Sequence, residues 1–135
     1  MASAKRLDDV CKFENGDRGK NYPNRSEYVD SGIPWINMGH IKPDGTLSME
    51  EMNFITREKF NSLRSGKIQP RDLVYCLRGA TLGKTALVDP LNEGAVASSL
   101  VIVRPSWFLD SRFLYFFLTS PPGQGLIKGF ENGDA

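Results

Sequence analysis

Apolar positions come in short bursts separated by polar stretches rich in glycine and proline. Leu7, Val10 and Cys11 stand at i, i+3 and i+4, which predicts a short helix or an amphipathic lead-in over 5–13. The pattern then stops. Residues 14–32 hold glycines, Asn21, Pro23, Asn24, Ser26 and Ser31 among charges, and predict a long loop, a kind of segment that is disproportionately functional in compact domains. The run 33–41 predicts a strand with Pro34 near its start, where a missing N–H is tolerated, and Pro43-Asp44-Gly45 a turn. Thr56 is placed to cap a helix over 57–63 with Phe60 and Leu63 inward and Gly66 just past its end. Strands follow at 72–77, 84–89 and 95–104, the last apolar for most of its length as a covered strand is. Asp110 or Ser111 opens a second helix in which Leu109, Phe113, Leu114, Phe116, Phe117 and Leu118 leave almost no polar face, so it is expected to be buried. Ser120-Pro121 starts a final helix carrying Leu126, Ile127 and Phe130 and ending near Gly133. The expected fold is one α/β (α+β) globular domain over 1–135.

Composition changes this picture little. With 135 residues, 40% apolar and 24% charged, the chain is long enough to bury about two-thirds of its unfolded surface without metal or disulfide. Its start shows no signal-peptide pattern and no run approaches membrane-spanning length. Cys11 and Cys76 sit in apolar patterns, as small buried hydrophobes of a reducing cytoplasm do. The net charge of +1 is uninformative, but its distribution is uneven: between Arg57 and Lys84 seven cations face two acids, a local excess of five positive charges. Such a field orients a protein on DNA without making it generally adhesive, although Arg57, Lys59 and Arg64 are read more simply as the solvated face of a helix.

Two stretches carry candidate chemistry. Gly16-Asp17-Arg18-Gly19-Lys20-Asn21-Tyr22-Pro23 and Tyr75-Cys76-Leu77-Arg78-Gly79-Ala80-Thr81-Leu82-Gly83-Lys84-Thr85 both interleave glycine with long cations and hydrogen-bonding residues. Glycine lets backbone approach a ligand, and the cations reach phosphate oxygens or the acceptor edge of guanine. Gly79 to Thr85 looks like a nucleotide-phosphate loop, but it is one residue short between its glycines, and a strand follows where a helix is required. Catalysis has little support. One histidine, His40, supplies no metal cluster and reads as a satisfied or surface residue, not a general base. Glu50 and Glu51 read as a solvated edge. Trp35 and Tyr75 read as core, whereas Tyr22 sits in a polar loop with little core to fill.

Taken in order, Gly16 to Pro23, Gly32-Ile33-Pro34-Trp35-Ile36-Asn37, Tyr75 to Gly79 with Leu82-Gly83-Lys84, and Ala97-Ser98-Ser99-Leu100 resemble a target recognition domain of the specificity subunit of type I restriction-modification systems. The resemblance covers 6–135. It implies an α/β globule with a curved, largely antiparallel sheet that reads double-stranded DNA and has no catalysis, metal or cofactor of its own. In the family two such domains read the halves of a bipartite target and long helices set their spacing. Partner modification subunits methylate adenine with S-adenosylmethionine, and restriction subunits use ATP. The chain stops at Ala135, before the spacer helix that the family pattern places next, so the domain is expected to be incomplete at its C-terminus, as a fragment or as a natural truncation.

On this reading Arg18, Lys20, Asn21, Tyr22 and Arg25 from the first loop and Arg78, Thr81 and Lys84 from the second contact DNA, with Asn37, His40, Ser98 and Ser99 as further candidates. A second reading, from another class, is a protein-interaction module that pairs with a partner or with itself as a homodimer through the apolar helices of 110–131. Either way the expected location is the cytoplasm.

Overall fold

Leu73, Val74, Tyr75 and Cys76 are all fully buried, so the strand they form must be covered on both faces. The structure is a computed structural model that describes residues 7–77 and 83–120, with backbone alone for Leu7 and Asp8. In chain order the described elements are α1 (Leu7–Val10), β1 (Cys11–Asn15), β2 (Ile33–Ile36), β3 (Asn53–Ile55), α2 (Arg57–Ser62), β4 (Leu73–Cys76), β5 (Thr85–Leu87), β6 (Ala95–Val96), β7 (Leu100–Pro105) and α3 (Ser111–Thr119), with 3-10 turns at Arg25–Glu27 and Met38–His40.

One sheet has the order β1-β7-β4-β5 and is antiparallel throughout. The two-residue period of its strands sorts their side chains. Val74, Cys76, Leu100 and Ile102 point to one face, where Ile36 and Val96 of the second sheet meet them. Leu73, Tyr75, Val101 and Val103 point to the other, where Leu114 and Leu118 of α3 cover them. The second sheet, β3-β2-β6, pairs β2 antiparallel with β3 and parallel with β6. Its Ile33 and Trp35 pack with Ile55 and Leu63 in a third cluster. The fold is thus the expected largely antiparallel α/β arrangement with a few short helices, but its strands divide between two sheets. The apolar run 95–104 serves both of them. Ala95–Val96 pairs in one sheet and Leu100–Pro105 in the other, and the Leu100 N–H donates to the Ala97 carbonyl at 3.1 Å to turn the corner between them.

Other boundaries also move. The N-terminal lead-in is helical only to Val10, because Cys11 and Phe13 join the cluster under α3 from a strand. The strand expected over 33–41 ends at Ile36, where the Asn37 side chain accepts from the Gly39 N–H at 2.9 Å and starts a 3-10 turn. β3 has no counterpart among the predicted elements. Thr56 caps α2 as expected, accepting from the Lys59 N–H at 3.1 Å. α3 is not buried all round: Leu114 and Leu118 face the sheet, while Phe113 and Phe116 are 63% and 70% exposed. A sheet covers one stripe of a helix, and no described element covers the opposite one. The helix expected beyond Pro121 lies outside the described residues.

A charge knot ties the sheet edges together. Asp72 accepts from Arg104 Nε at 3.0 Å and Nη2 at 2.9 Å, and Nη2 also donates to the Lys67 carbonyl at 3.0 Å. Glu14 accepts from Arg104 Nη1 at 3.4 Å and from the Gly66 N–H at 2.6 Å. The Asp72 carboxylate, with a lesser contribution from Glu14, holds the Arg104 guanidinium above its ordinary pKa. Gly66 must be glycine twice over: its φ is +79°, and a Cβ there would lie 2.7 Å from the Gly16 Cα.

Candidate nucleic-acid interface

The polar loop after β1 is held at both ends. Asp17 Oδ1 accepts from the Gly19 N–H at 2.6 Å and Oδ2 from the Arg64 N–H at 2.7 Å, so one carboxylate closes the loop's first turn and fastens it to the segment beyond α2. These hydrogen bonds, that from Arg64 foremost, hold the Asp17 carboxyl below its ordinary pKa. Five residues on, the Tyr22 ring packs edge-on against Trp35 with centroids 5.2 Å apart, and its hydroxyl accepts from the Ser98 N–H at 3.2 Å. Between these anchors, Arg18 Nη2 donates to the Ser98 carbonyl at 3.2 Å and Asn21 Nδ2 to the Ser62 carbonyl at 3.2 Å. Arg18 and Lys20 are exposed.

The same corner at 97–99 meets the second glycine stretch. The Leu77 N–H donates to the Ser99 carbonyl at 3.0 Å, and Cys76 exchanges backbone hydrogen bonds with Gly83 and Lys84 across the hairpin. An open cleft of about 510 Å³ results, lined by Tyr22, Tyr28, Asn37, Met38, Lys84 and Ser99 among others. Four separate segments, around 22, 37–39, 84 and 97–99, thus converge on one edge. A smaller notch of about 300 Å³, sharing no residue with the cleft, is lined by Asp17, Gly19, Lys20, Asn21 and Arg64.

The structure therefore gathers Tyr22, Asn37, Lys84 and Ser99 at the cleft, and Lys20 and Asn21 at the notch. Arg18 and Ser98 line neither, Ser98 being tied to Arg18 through its carbonyl and to Tyr22 through its N–H. Arg25 is exposed on the 3-10 turn beyond them and lines neither. Arg78 and Thr81 lie outside the described residues. His40 sits beneath the surface, 4% exposed, with Nδ1 accepting from the Asn37 N–H at 3.1 Å. Burial pushes its pKa below the ordinary value, against a backbone hydrogen bond and the charge of Glu51. It shapes the 37–40 turn and is not among the residues that line the cleft. Tyr22 likewise departs from expectation: there is core for it to fill, against Trp35, and its hydroxyl is engaged. Sequence reasoning missed Met38 and Tyr28 at the cleft and Arg64 at the notch. Arg64 lies beyond the end of α2 at Ser62, so it is not on that helix's outer face.

The positive stretch is also less uniform than its composition implies. Arg57 pairs bidentately with Glu93 at 2.9 Å, and Lys59 pairs with Glu27 at 2.8 Å, both acids lying outside the stretch. The Lys67 ammonium lies 4.7 Å from the centroid of the Phe60 ring. Arg71 donates to the Ser106 and Leu109 carbonyls, bonds that accompany its unusual φ of +78°. Among the described residues no carboxylate forms an ion pair with Arg64 or Lys84. Thr85 begins strand β5, so no helix follows the glycine stretch to receive a nucleotide phosphate. Among the described residues no group of acidic, histidine and cysteine side chains is placed to hold a metal ion, and no helix is long and apolar enough to cross a membrane.

No family model matches the chain, and no curated protein matches it in sequence. Solved structures do. The HsdS subunit from Thermoanaerobacter tengcongensis superposes with a TM-score of 0.63 at 18% identity over 85% of this chain and 26% of that one. The type I restriction-modification S subunit from M. genitalium gives 0.57 at 15% identity over 96% and 29%. A chain from a structure on complex assembly and conformational transition of the type I R-M system gives 0.56 at 20% identity over 84% and 26%. The chain shares its fold with part of these proteins. It spans between a quarter and a third of their length, and at this level of identity the likeness concerns the fold.

Proposed function

We propose that the chain is a target recognition domain of the type I specificity-subunit kind, which binds double-stranded DNA sequence-specifically and performs no chemistry itself. The observation that carries this reading is the convergence of four chain segments on one edge, bringing Lys84, with which no described carboxylate forms an ion pair, beside hydrogen-bonding side chains. The fold likeness to S subunits supports it. Lys84, Asn37 and Ser99, at the open cleft, face the base edges in the major groove, where each base pair shows a distinct donor and acceptor pattern. Arg18 and Arg25 contact the backbone, as do Arg78 and Thr81 by their place in the sequence. Tyr22 and Ser98 hold the loop against the corner, and His40 supports the turn that carries Asn37. Modification and restriction subunits are the protein partners that go with this role, and S-adenosylmethionine and ATP belong to them, in the cytoplasm.

The test is selection of duplexes from a randomised pool by the chain, followed by anisotropy titrations of the winning sequence and a scrambled control. Enrichment of a motif with tighter binding than the control supports the proposal, and equal, weak binding to every duplex sinks sequence-specific recognition. A second reading, self-association as a homodimer, is favoured by one observation: Trp107, Phe108, Phe113 and Phe116 are exposed at the α3 end, far more apolar surface than scattered single residues present. Sedimentation over a range of concentrations decides it, since a strictly monomeric chain excludes this reading.

A further inference from the structure

The notch beside the cleft has a role of its own that rests on the DNA-binding reading. Lys20 and Arg64 are 44 positions apart in the sequence, yet both line it. What brings them together is the Asp17 carboxylate, whose two oxygens accept from the Gly19 and Arg64 N–H groups at 2.6 and 2.7 Å. Asp17 is nearly buried, and both its oxygens are engaged by backbone. The Asn21 amide, donating to the Ser62 carbonyl, makes a second tie between the same two segments. The neighbouring cations of α2 are neutralised, Arg57 by Glu93 and Lys59 by Glu27, whereas no described carboxylate forms an ion pair with Lys20 or Arg64. The Asp17 carboxylate also lines the notch and acts on Arg64 through its charge, but its oxygens are turned to backbone N–H groups. Two exposed cations against one acid leave a net positive notch whose cationic tips carry donors only, which suits a phosphodiester and reads no base.

The loop 17–22 contributes to both pockets, which share no lining residue. Arg18 donates to the Ser98 carbonyl, Lys20 lines the notch, and Tyr22 lines the cleft. We propose that Lys20 and Arg64, set side by side by the Asp17 strut, form a backbone-phosphate grip for duplex DNA that is separate from the cleft where bases are read. The grip supplies affinity and register, and the cleft supplies discrimination. This division follows from general protein–DNA chemistry, in which phosphate contacts position and base contacts specify.

The experiment measures binding of the selected duplex and of a scrambled duplex across a salt series for the 135-residue chain and for Lys20→Ala, Arg64→Gln and the double variant, with a thermal melt of each as a control for folding. Each neutralised phosphate contributes about 0.9 to the slope of log K against log salt, so each single variant is expected to reduce the slope by about 0.9 and the double variant by about 1.8. Both duplexes are expected to weaken by the same factor, leaving their affinity ratio unchanged, and Arg64→Lys is expected to restore the slope. Wild-type slope in the double variant overturns the grip while leaving DNA recognition standing. A changed affinity ratio overturns the separation of grip from readout. Failure of the wild-type chain to bind any duplex overturns the grip together with the reading on which it rests. Inorganic phosphate added at constant ionic strength is expected to compete no better than chloride, and stronger competition reassigns the notch to small anions.

Discussion

Two parts of the molecule use the same residue types to opposite ends. In the charge knot, Arg104 meets Asp72, Glu14 and the Lys67 carbonyl, and the Asp72 side chain is fully buried. At the loop edge, Arg18, Lys20, Arg64 and Lys84 are exposed, and no described carboxylate forms an ion pair with them. Counting cations along the sequence does not separate the two sets. What separates them is where the acids fall after folding: Asp72 pairs with Arg104 across 32 positions and Glu93 with Arg57 across 36, while among the described residues the acid nearest the loop edge, Asp17, turns its oxygens to the Gly19 and Arg64 backbone N–H groups. A charge with its counter-ion built in holds the fold together, and a charge without one is available to a polyanion.

The largest effect that can break this contrast is on stability. Asp72→Ala leaves the Gln69 N–H without its acceptor and Arg104 with only the more distant Glu14 and the Lys67 carbonyl, and removing one member of a buried pair costs about 3 to 5 kcal/mol. Denaturant unfolding is expected to show a loss of that order, and a loss below about 1 kcal/mol would demote the knot to surface decoration. At the loop edge the signs reverse. Lys84→Ala is expected to cost about 1 to 3 kcal/mol in binding to the preferred duplex and to shift folding stability by no more than about 0.5 kcal/mol. Unfolding of this variant would place Lys84 with the structural cations.

Smaller effects come from pH. Burial lowers the His40 pKa from its ordinary 6.5, so the unfolded chain takes up a proton that the folded chain resists. The contribution of neutral His40 to stability is full above 6.5 and is lost as pH falls through the folded value. Asp17 is depressed from 3.8, so its contribution is full above that value and fades only in stronger acid. Stability measured from pH 7 to 5 is expected to decline through His40 and not through Asp17, and His40→Gln is expected to flatten the decline. An unchanged slope in this variant assigns the decline elsewhere. Smallest for folding is the α3 face: Phe113→Ser with Phe116→Ser is expected to leave the melt nearly unchanged and to lower any concentration-dependent association seen in sedimentation. Unaltered association would move the self-contact off this helix.

The parts of the fold legible in the sequence are those set by local chemistry. Thr56 and the helix it caps, the Leu73–Cys76 strand and the helix starting at Ser111 follow from caps and periodicity. The illegible parts depend on distant partners. β3 pairs three residues with β2, too few to show a period, and nothing in the uniform apolar run 95–104 marks where it passes from one sheet to the other. At the candidate interface, glycine with cations pointed to the right loops, but Tyr22 read as a polar-loop residue because Trp35, which receives it, lies thirteen positions on. Arg64 was hidden by its nearness to α2, although the helix ends before it.

The loop anchored by Asp17 at one end and by Asn21 and Tyr22 at the other leaves 18–20 as a short exchangeable tip. Neither end depends on the side chains of Arg18 or Lys20, since Asp17 binds backbone N–H groups, Asn21 a backbone carbonyl, and Tyr22 an indole face and another backbone N–H. Substitutions at the tip therefore change which surface is presented without unfastening the strip that presents it. On the proposed DNA-binding role, a domain built this way would acquire a new preference by a few replacements between fixed posts, with its seven described strands untouched.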